Sequence, residues 1–145
     1  MGLFDLFRKK QKLTEAQKKW DKMWELWTAQ KAESPYAELM TYQSEVNNGG
    51  HDQYFWNLEN SGILTQEMAV LKTILPEKLK CNLETAYKAF RILQEQEEDE
   101  KAEEILSRCD DIFYDSHAEM DGILEAYAAK VETECLTNHQ SHQGR

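Results

Sequence analysis

Carboxylates are the most concentrated chemical resource of this chain. Between Glu95 and Glu125 thirteen Asp and Glu residues stand against Lys101 and Arg108, a net charge of −11 in 31 residues. If residues 97–115 form one helix, Glu97, Glu100, Glu104, Asp111 and Asp115 share one side of it, opposite an apolar face of Ala102, Ile105, Leu106, Cys109, Ile112 and Phe113. Carboxylates one turn apart lie roughly 5–6 Å from each other. That line of charge is within a factor of about two of the density of one DNA strand, which carries one phosphate per ~3.4 Å of axis. It reads either as a solvated face that keeps the protein soluble or as a surface for a basic partner.

Other chemistry is sparse. Asp115, His117, Glu119 and Asp121 alternate oxygen and imidazole ligands, but alternate residues of a helix point about 200° apart and converge on one ion only if the segment is a loop. No phosphate-cradling Gly-x-x-x-x-Gly-Lys, no nucleophile elbow, no H-E-x-x-H and no Glu-x-x-His pair is present. The expectation is a non-enzymatic protein with no catalytic residue, no metal and no cofactor. Cys81, Cys109 and Cys135 form no C-x-x-C pair and read as buried thiols in a reducing compartment.

The elements that must position these groups are helices. The 145 residues fit one domain, with 41% hydrophobic residues and four tryptophans to fill a core. Thr14-Glu15-Ala16-Gln17 has capping-box spacing, and Trp20, Met23, Trp24 and Trp27 follow on one face, read as core. Ser34-Pro35 opens a second helix that Asn48-Gly49-Gly50 stops, and a third, with Tyr54, Phe55 and Leu58 inward, ends at Asn60-Ser61-Gly62. Thr65 caps a fourth, apolar nearly all round at Met68, Val70, Leu71, Ile74 and Leu75, and Pro76 breaks it. Leu79, Leu83, Ala86, Phe90 and Leu93 line the next helix. The polar run 94–100, a loop or an exposed helix start, precedes the acidic helix. Asp121-Gly122 precedes a last one with Ile123, Tyr127, Val131 and Cys135 inward. The predicted fold is all-α, a bundle of about six helices with no significant sheet.

Charge divides the chain. Residues 1–31 hold eight Lys/Arg and four Asp/Glu, and the remainder nine against twenty-three. Residues 1–13 form a basic amphipathic arm, 14–136 the helical domain and 137–145 a polar, frayed tail. The arm, with Leu3, Phe4, Leu6 and Phe7 before Arg8, Lys9, Lys10 and Lys12, is read as packing on the body or on a second copy, in preference to residues 1–12 touching a membrane. Too few apolar residues precede Arg8 for a signal peptide, and no stretch approaches a membrane span, so a cytoplasmic location is expected. An acidic body repels nucleic acid, so no direct nucleic-acid binding is expected, and it attracts basic proteins.

One segment carries a resemblance. Asn48, Gly49, Gly50, Gln53, Tyr54, Phe55 and Asn57 give the pattern N-G-G-x-x-Q-Y-F-x-N, and Asp110-Asp111-Ile112-Phe113-Tyr114 supplies a second Asp-plus-aromatic motif. Together they resemble a bacterial family of helical domains whose name-giving member is a DNA-mimic protein, over roughly residues 35–130. His51 stands where relatives often carry an aromatic or bulky residue. The resemblance implies an all-helical homodimer and admits competition with DNA for a basic, DNA-binding protein. A specific protein-interaction or immunity-type role without mimicry is the alternative. Physically the signature reads as a corner: the glycines allow a left-handed backbone, the aromatics anchor it, and Gln53 and Asn57, one turn apart, either tie down loop backbone or form a recognition patch. A small-ligand site using Gln53, Asn57 and His51 is a further alternative.

Overall fold

The computed structural model describes the backbone of residues 2–143 and the side chains of residues 15–131. It is all-α: six helices and no strand among the described residues. They are α1 (Gly2–Thr28), α2 (Tyr36–Asn60), α3 (Leu64–Leu71), α4 (Glu77–Glu95), α5 (Glu100–Asp115) and α6 (His117–Gln143). The chain divides into two units, Glu33–Asp121 and a second made of residues 1–32 with 122–145.

In the unit Glu33–Asp121, α2 bends sharply at Gly49 (φ −154°, ψ 20°) and Gly50 (φ 78°, ψ 179°), so the expected stop at the double glycine is real. Gly50 occupies the left-handed region that a residue with a Cβ resists. The second half of α2 ends on Gly62 (φ 76°), with Ile63 N–H donating to the Leu58 carbonyl at 3.0 Å and Gly62 N–H to that of Glu59 at 2.9 Å. That is the paired-bond glycine cap of a helix C-terminus. Pro76 immediately precedes α4, and the run 96–99 is a connection closed by Asp99, whose Oδ1 accepts from Ala102 N–H at 3.0 Å.

The core of this unit is aromatic at its centre. Tyr42, Tyr54, Phe55 and Phe113 are fully buried, with Tyr42 edge-on to Phe113 at 5.2 Å and to Tyr54 at 5.1 Å. Leu79, Leu83, Ala86 and Phe90 of α4 and Ala102, Leu106, Cys109 and Phe113 of α5 are buried, as their spacing predicts. Asn82 Nδ2 donates to the Cys109 carbonyl at 2.8 Å, a buried tie between α4 and α5.

Several local expectations fail. Thr65 lies inside α3, whose flanking residue is Ile63, so it caps nothing, and only Leu64, Met68 and Leu71 of that helix are buried. Ser34 donates its hydroxyl to the Glu38 carboxylate instead of capping α2. Ile112 is exposed. Cys109 is buried but Cys81 is exposed, and the Cys135 side chain lies outside the described residues.

In the other unit α1 runs unbroken past Thr14–Gln17, so the capping-box spacing marks no helix start. Met23 is buried and Trp20, Trp24 and Trp27 are half-buried, the rings of Trp24 and Trp27 meeting edge-on at 5.3 Å. α6 passes straight through Gly122, where a Cβ would meet nothing. Its buried residues from there are Leu124, Tyr127, Ala128 and Val131, so Leu124 takes the inward place expected of Ile123. The side chains of the basic arm and of the polar tail lie outside the described residues. Among the described residues no helix is long and apolar enough to cross a membrane.

The two cysteines should differ in chemistry. Burial first, then the neighbouring Asp110 charge, pushes the Cys109 thiol up to about 11, against a partial lowering by Arg108. An ordinary thiol titrates near ~8.5, so at pH 8 the Cys109 thiolate is more than about a hundredfold scarcer than that of an ordinary exposed thiol. Brief iodoacetamide treatment of the native protein, mapped by peptide mass spectrometry, should label Cys81 and spare Cys109. Equal labelling would mean that the α4–α5 contact opens readily.

Candidate functional site

The family-like segment folds into one corner, tied together by residues distant in sequence. A Cβ on Gly50 would lie 2.7 Å from Asp110 Oδ2, so only glycine lets α5 approach this closely. Asp110 Oδ1 accepts from the backbone N–H of His51 at 2.9 Å and from its Nδ1 at 2.7 Å. With Nδ1 donating to a carboxylate, a neutral ring presents Nε2 as an acceptor, and the Tyr42 hydroxyl meets it at 2.6 Å. Four residues, about one helical turn, further along α5, Tyr114 donates its hydroxyl to the Val46 carbonyl at 3.1 Å. The Asp-plus-aromatic motif therefore serves the double-glycine corner: Asp110 and Tyr114 hold its two sides while Phe113 packs beneath it.

Tyr42, His51 and Asp110 form a hydrogen-bonded series of the kind that could activate a nucleophile. Tyr42 and His51 are fully buried, and desolvation, reinforced by the charges of Tyr54, Cys109 and Asp110, holds the Tyr42 phenol well above its usual range. The Tyr42 phenol therefore keeps its proton, away from solvent.

Gln53 and Asn57 do not tie down backbone. Their amides donate to the same oxygen, Glu45 Oε2, at 2.9 and 2.8 Å. The Gln53 side chain lies against Gly49, where a Cβ would collide with it. The signature's amides thus fix one carboxylate, and Glu45, three residues before the motif, belongs with them functionally. Asn48 is exposed, and Tyr54 and Phe55 are buried anchors. Tyr54 also carries a buried hydroxyl with no hydrogen-bond partner.

α5 carries the acidic face. Glu100, Glu104, Asp111 and Asp115 are exposed on it, on the side away from Ala102, Leu106 and Cys109. Glu97 is exposed too but lies in the connection before the helix, so the single helix over 97–115 is shorter than the sequence suggested. Arg108 occupies the middle of the stripe, one turn from Glu104 and from Asp111. The negative line is thereby two carboxylate pairs separated by roughly 10 Å of helix rise. Beside it a groove of about 600 Å³ between α4 and α5 is lined by Lys78, Cys81, Arg108, Ile112 and Asp115 among others. Asp115 ends α5 and His117 begins α6, so the alternating Asp115–Asp121 ligands are split between elements, and no group of three or more such side chains among the described residues is set to hold a metal ion.

An all-α domain built on a carboxylate-tied double-glycine corner, and displaying an acidic helix, is the class of molecule these features define. The chain belongs to the DMP19-like protein family, whose family model matches residues 30–133. That match covers the corner and all of α5, and leaves residues 1–29 outside it. No curated protein and no solved structure matches the chain.

Proposed function

We propose that this chain is a non-enzymatic, acidic protein-binding module, acting in the cytoplasm as a homodimer, whose α5 face engages a basic DNA-binding protein in competition with DNA. The observation that carries this reading is the placement of Glu100, Glu104, Asp111 and Asp115 in solvent on a helix whose other side is fixed to the corner and the core. Helix stability accounts for only one of them. Glu100, in the first turn, is favoured by the helix dipole, whereas Asp111 and Asp115 stand near the C-terminal end, where negative charge is unfavourable, with no basic residue in the last turn. Carboxylates retained against that cost suit recognition of a cationic surface. Membership in the DMP19-like family is compatible with such a role. The burial of Tyr42 and His51 supports the absence of catalysis at the corner.

The test is retention of a lysate protein on the immobilised chain, followed by a salt gradient and by excess duplex DNA. A DNA-binding protein should be held, released at moderate salt and displaced by DNA. The variant Glu100→Lys/Glu104→Lys/Asp111→Lys should bind it at least about tenfold more weakly, because each reversal converts attraction into repulsion at the interface. Its urea midpoint should stay near that of the parent. Retention that survives both DNA and the reversal would replace DNA mimicry with a specific protein partnership.

A further inference from the structure

An open groove lies where the second half of α2 meets the end of α4, and none of its lining belongs to α5. Trp56 on α2, Phe90, Leu93 and Gln94 on α4, and Asp52 and Glu97 enclose about 380 Å³. That is near the low end of the ~300–1,000 Å³ range of ligand pockets, and suits one or two side chains better than a whole helix. Phe90 is buried and Leu93 half-buried, which gives the groove an apolar floor. Trp56 is 57% exposed, although tryptophan is on average a largely buried residue.

The local folding that makes the groove also keeps its walls in place. Asp52 and Trp56 are four residues apart just past the Gly49-Gly50 kink, so they share one face of α2. Phe90, Leu93 and Gln94 recur at i, i+3 and i+4 on α4, and Glu97 follows in the connection to α5. Arg91 Nη1 donates to Glu59 Oε1 at 2.8 Å and to Gln94 Oε1 at 2.6 Å, and Gln94 Nε2 donates to Glu59 Oε2 at 2.5 Å. This three-residue tie joins α4 to α2 one turn beyond Trp56. It also commits Arg91, whose guanidinium lies 5.5 Å from the centre of the Tyr87 ring.

Charge chooses the occupant. Asp52 and Glu97 are exposed, and among the described residues neither is in an ion pair. Residues 92–100 hold five carboxylates and no cation. An anion would be repelled, and a neutral apolar side chain would desolvate carboxylates without giving them a donor. An arginine meets every demand of the lining: its stem covers the apolar floor, its planar guanidinium stacks on an indole, and its N–H edge donates to carboxylates. We propose that this groove receives an arginine side chain of a partner protein, stacked on Trp56 and held between Asp52 and Glu97. An exposed tryptophan beside a pre-formed pocket is also the residue type on which binding energy concentrates in protein interfaces.

The probe is N-acetylarginine amide, compared at matched ionic strength with N-acetylcitrulline amide, which has nearly the same shape and no charge, and with N-acetyllysine amide. The readout on the full chain is the NMR shift of the Gln94 side-chain amide, which lines the groove. The arginine probe should give saturable shifts, the citrulline probe should bind at least about tenfold more weakly, and the lysine probe several-fold more weakly. Asp52→Asn/Glu97→Gln keeps the volume and removes the charge. It should bind the arginine probe at least about tenfold more weakly with a urea midpoint near that of the parent, because both positions are exposed. Trp56→Leu should weaken the arginine probe several-fold by removing the ring face. No saturable shift with the arginine probe, equal binding of the citrulline or lysine probe, or unchanged affinity in both variants would overturn the proposal. Because the probes are single residues, these results stand apart from whether a DNA-binding protein is retained through α5.

Discussion

Gly50→Ala should lower the stability of the folded protein by about 4 kcal/mol, a large part of the ~5–15 kcal/mol that holds a domain of this size together. Two costs add. A residue with a Cβ at φ 78° pays roughly 1–2 kcal/mol for the left-handed backbone. The new methyl would also stand 2.7 Å from Asp110 Oδ2, and displacing that carboxylate strips the backbone N–H and the ring Nδ1 of buried His51 of their common acceptor. An unmet buried donor costs ~1–3 kcal/mol. Gly49→Ala makes the comparison: φ −154° is open to any residue, and the new methyl would meet both the amide end of Gln53, which can swing away, and the Gln53 Cβ at 2.9 Å, which moves only with the backbone. That variant should cost about 1–2 kcal/mol and release Glu45 from one of its two amides. Equilibrium urea unfolding of the two variants measures the difference. A Gly50→Ala loss as small as that of Gly49→Ala would mean that the corner tolerates α5 moving off.

Which parts of this arrangement were legible in the sequence follows from the range of the interactions that set them. The breaks at Gly49-Gly50, Gly62 and Pro76 were readable because each is enforced within a few residues, by a left-handed φ or by a missing N–H. The apolar registers of α4 and α5 were readable for a similar reason, since burying one face of a helix fixes which positions recur. Caps worth only ~1 kcal/mol were less dependable. Thr14, Thr65 and the Asp121-Gly122 pair each carry the chemistry of a helix end, yet the helices run through or begin elsewhere. A glycine in a helix interior costs roughly 1 kcal/mol against alanine, which is too little to stop α6 at Gly122.

The site was legible only in outline. The acidic stripe could be counted along the chain, but its helix starts at Glu100, which removes Glu97, and Arg108 divides what remains. The corner's polar ties were hidden because they span the fold: His51 and Asp110 are 59 residues apart, and Tyr114 and Val46 are 68. The co-occurrence of the N-G-G and D-D-I-F-Y motifs was the available sign that they meet. Glu45 gave no sign of its own, because its importance arises from two amides that reach it across the kink in α2.

Asp110 and Asp111 turn that distinction into a single experiment, since they are adjacent in α5, carry the same charge and point about 100° apart around its axis. Asp110 has a side chain 27% exposed and serves the corner, whereas Asp111 is in solvent and serves the acidic face. Asp110→Ala should cost about 2–4 kcal/mol, because buried His51 loses its acceptor twice over. Asp111→Ala should change stability by no more than about 0.5 kcal/mol, as an exposed substitution does, with a small gain possible from removing negative charge near the C-terminal end of α5. Partner binding should show the reverse order once Asp110→Ala is measured under conditions where it remains folded. Losing Asp111 would then weaken the complex and steepen no unfolding curve, while losing Asp110 would shift the urea midpoint and leave affinity near that of the parent. The same phenotype from both variants would mean that α5 does not separate support from recognition, and that its acidic face acts through the fold.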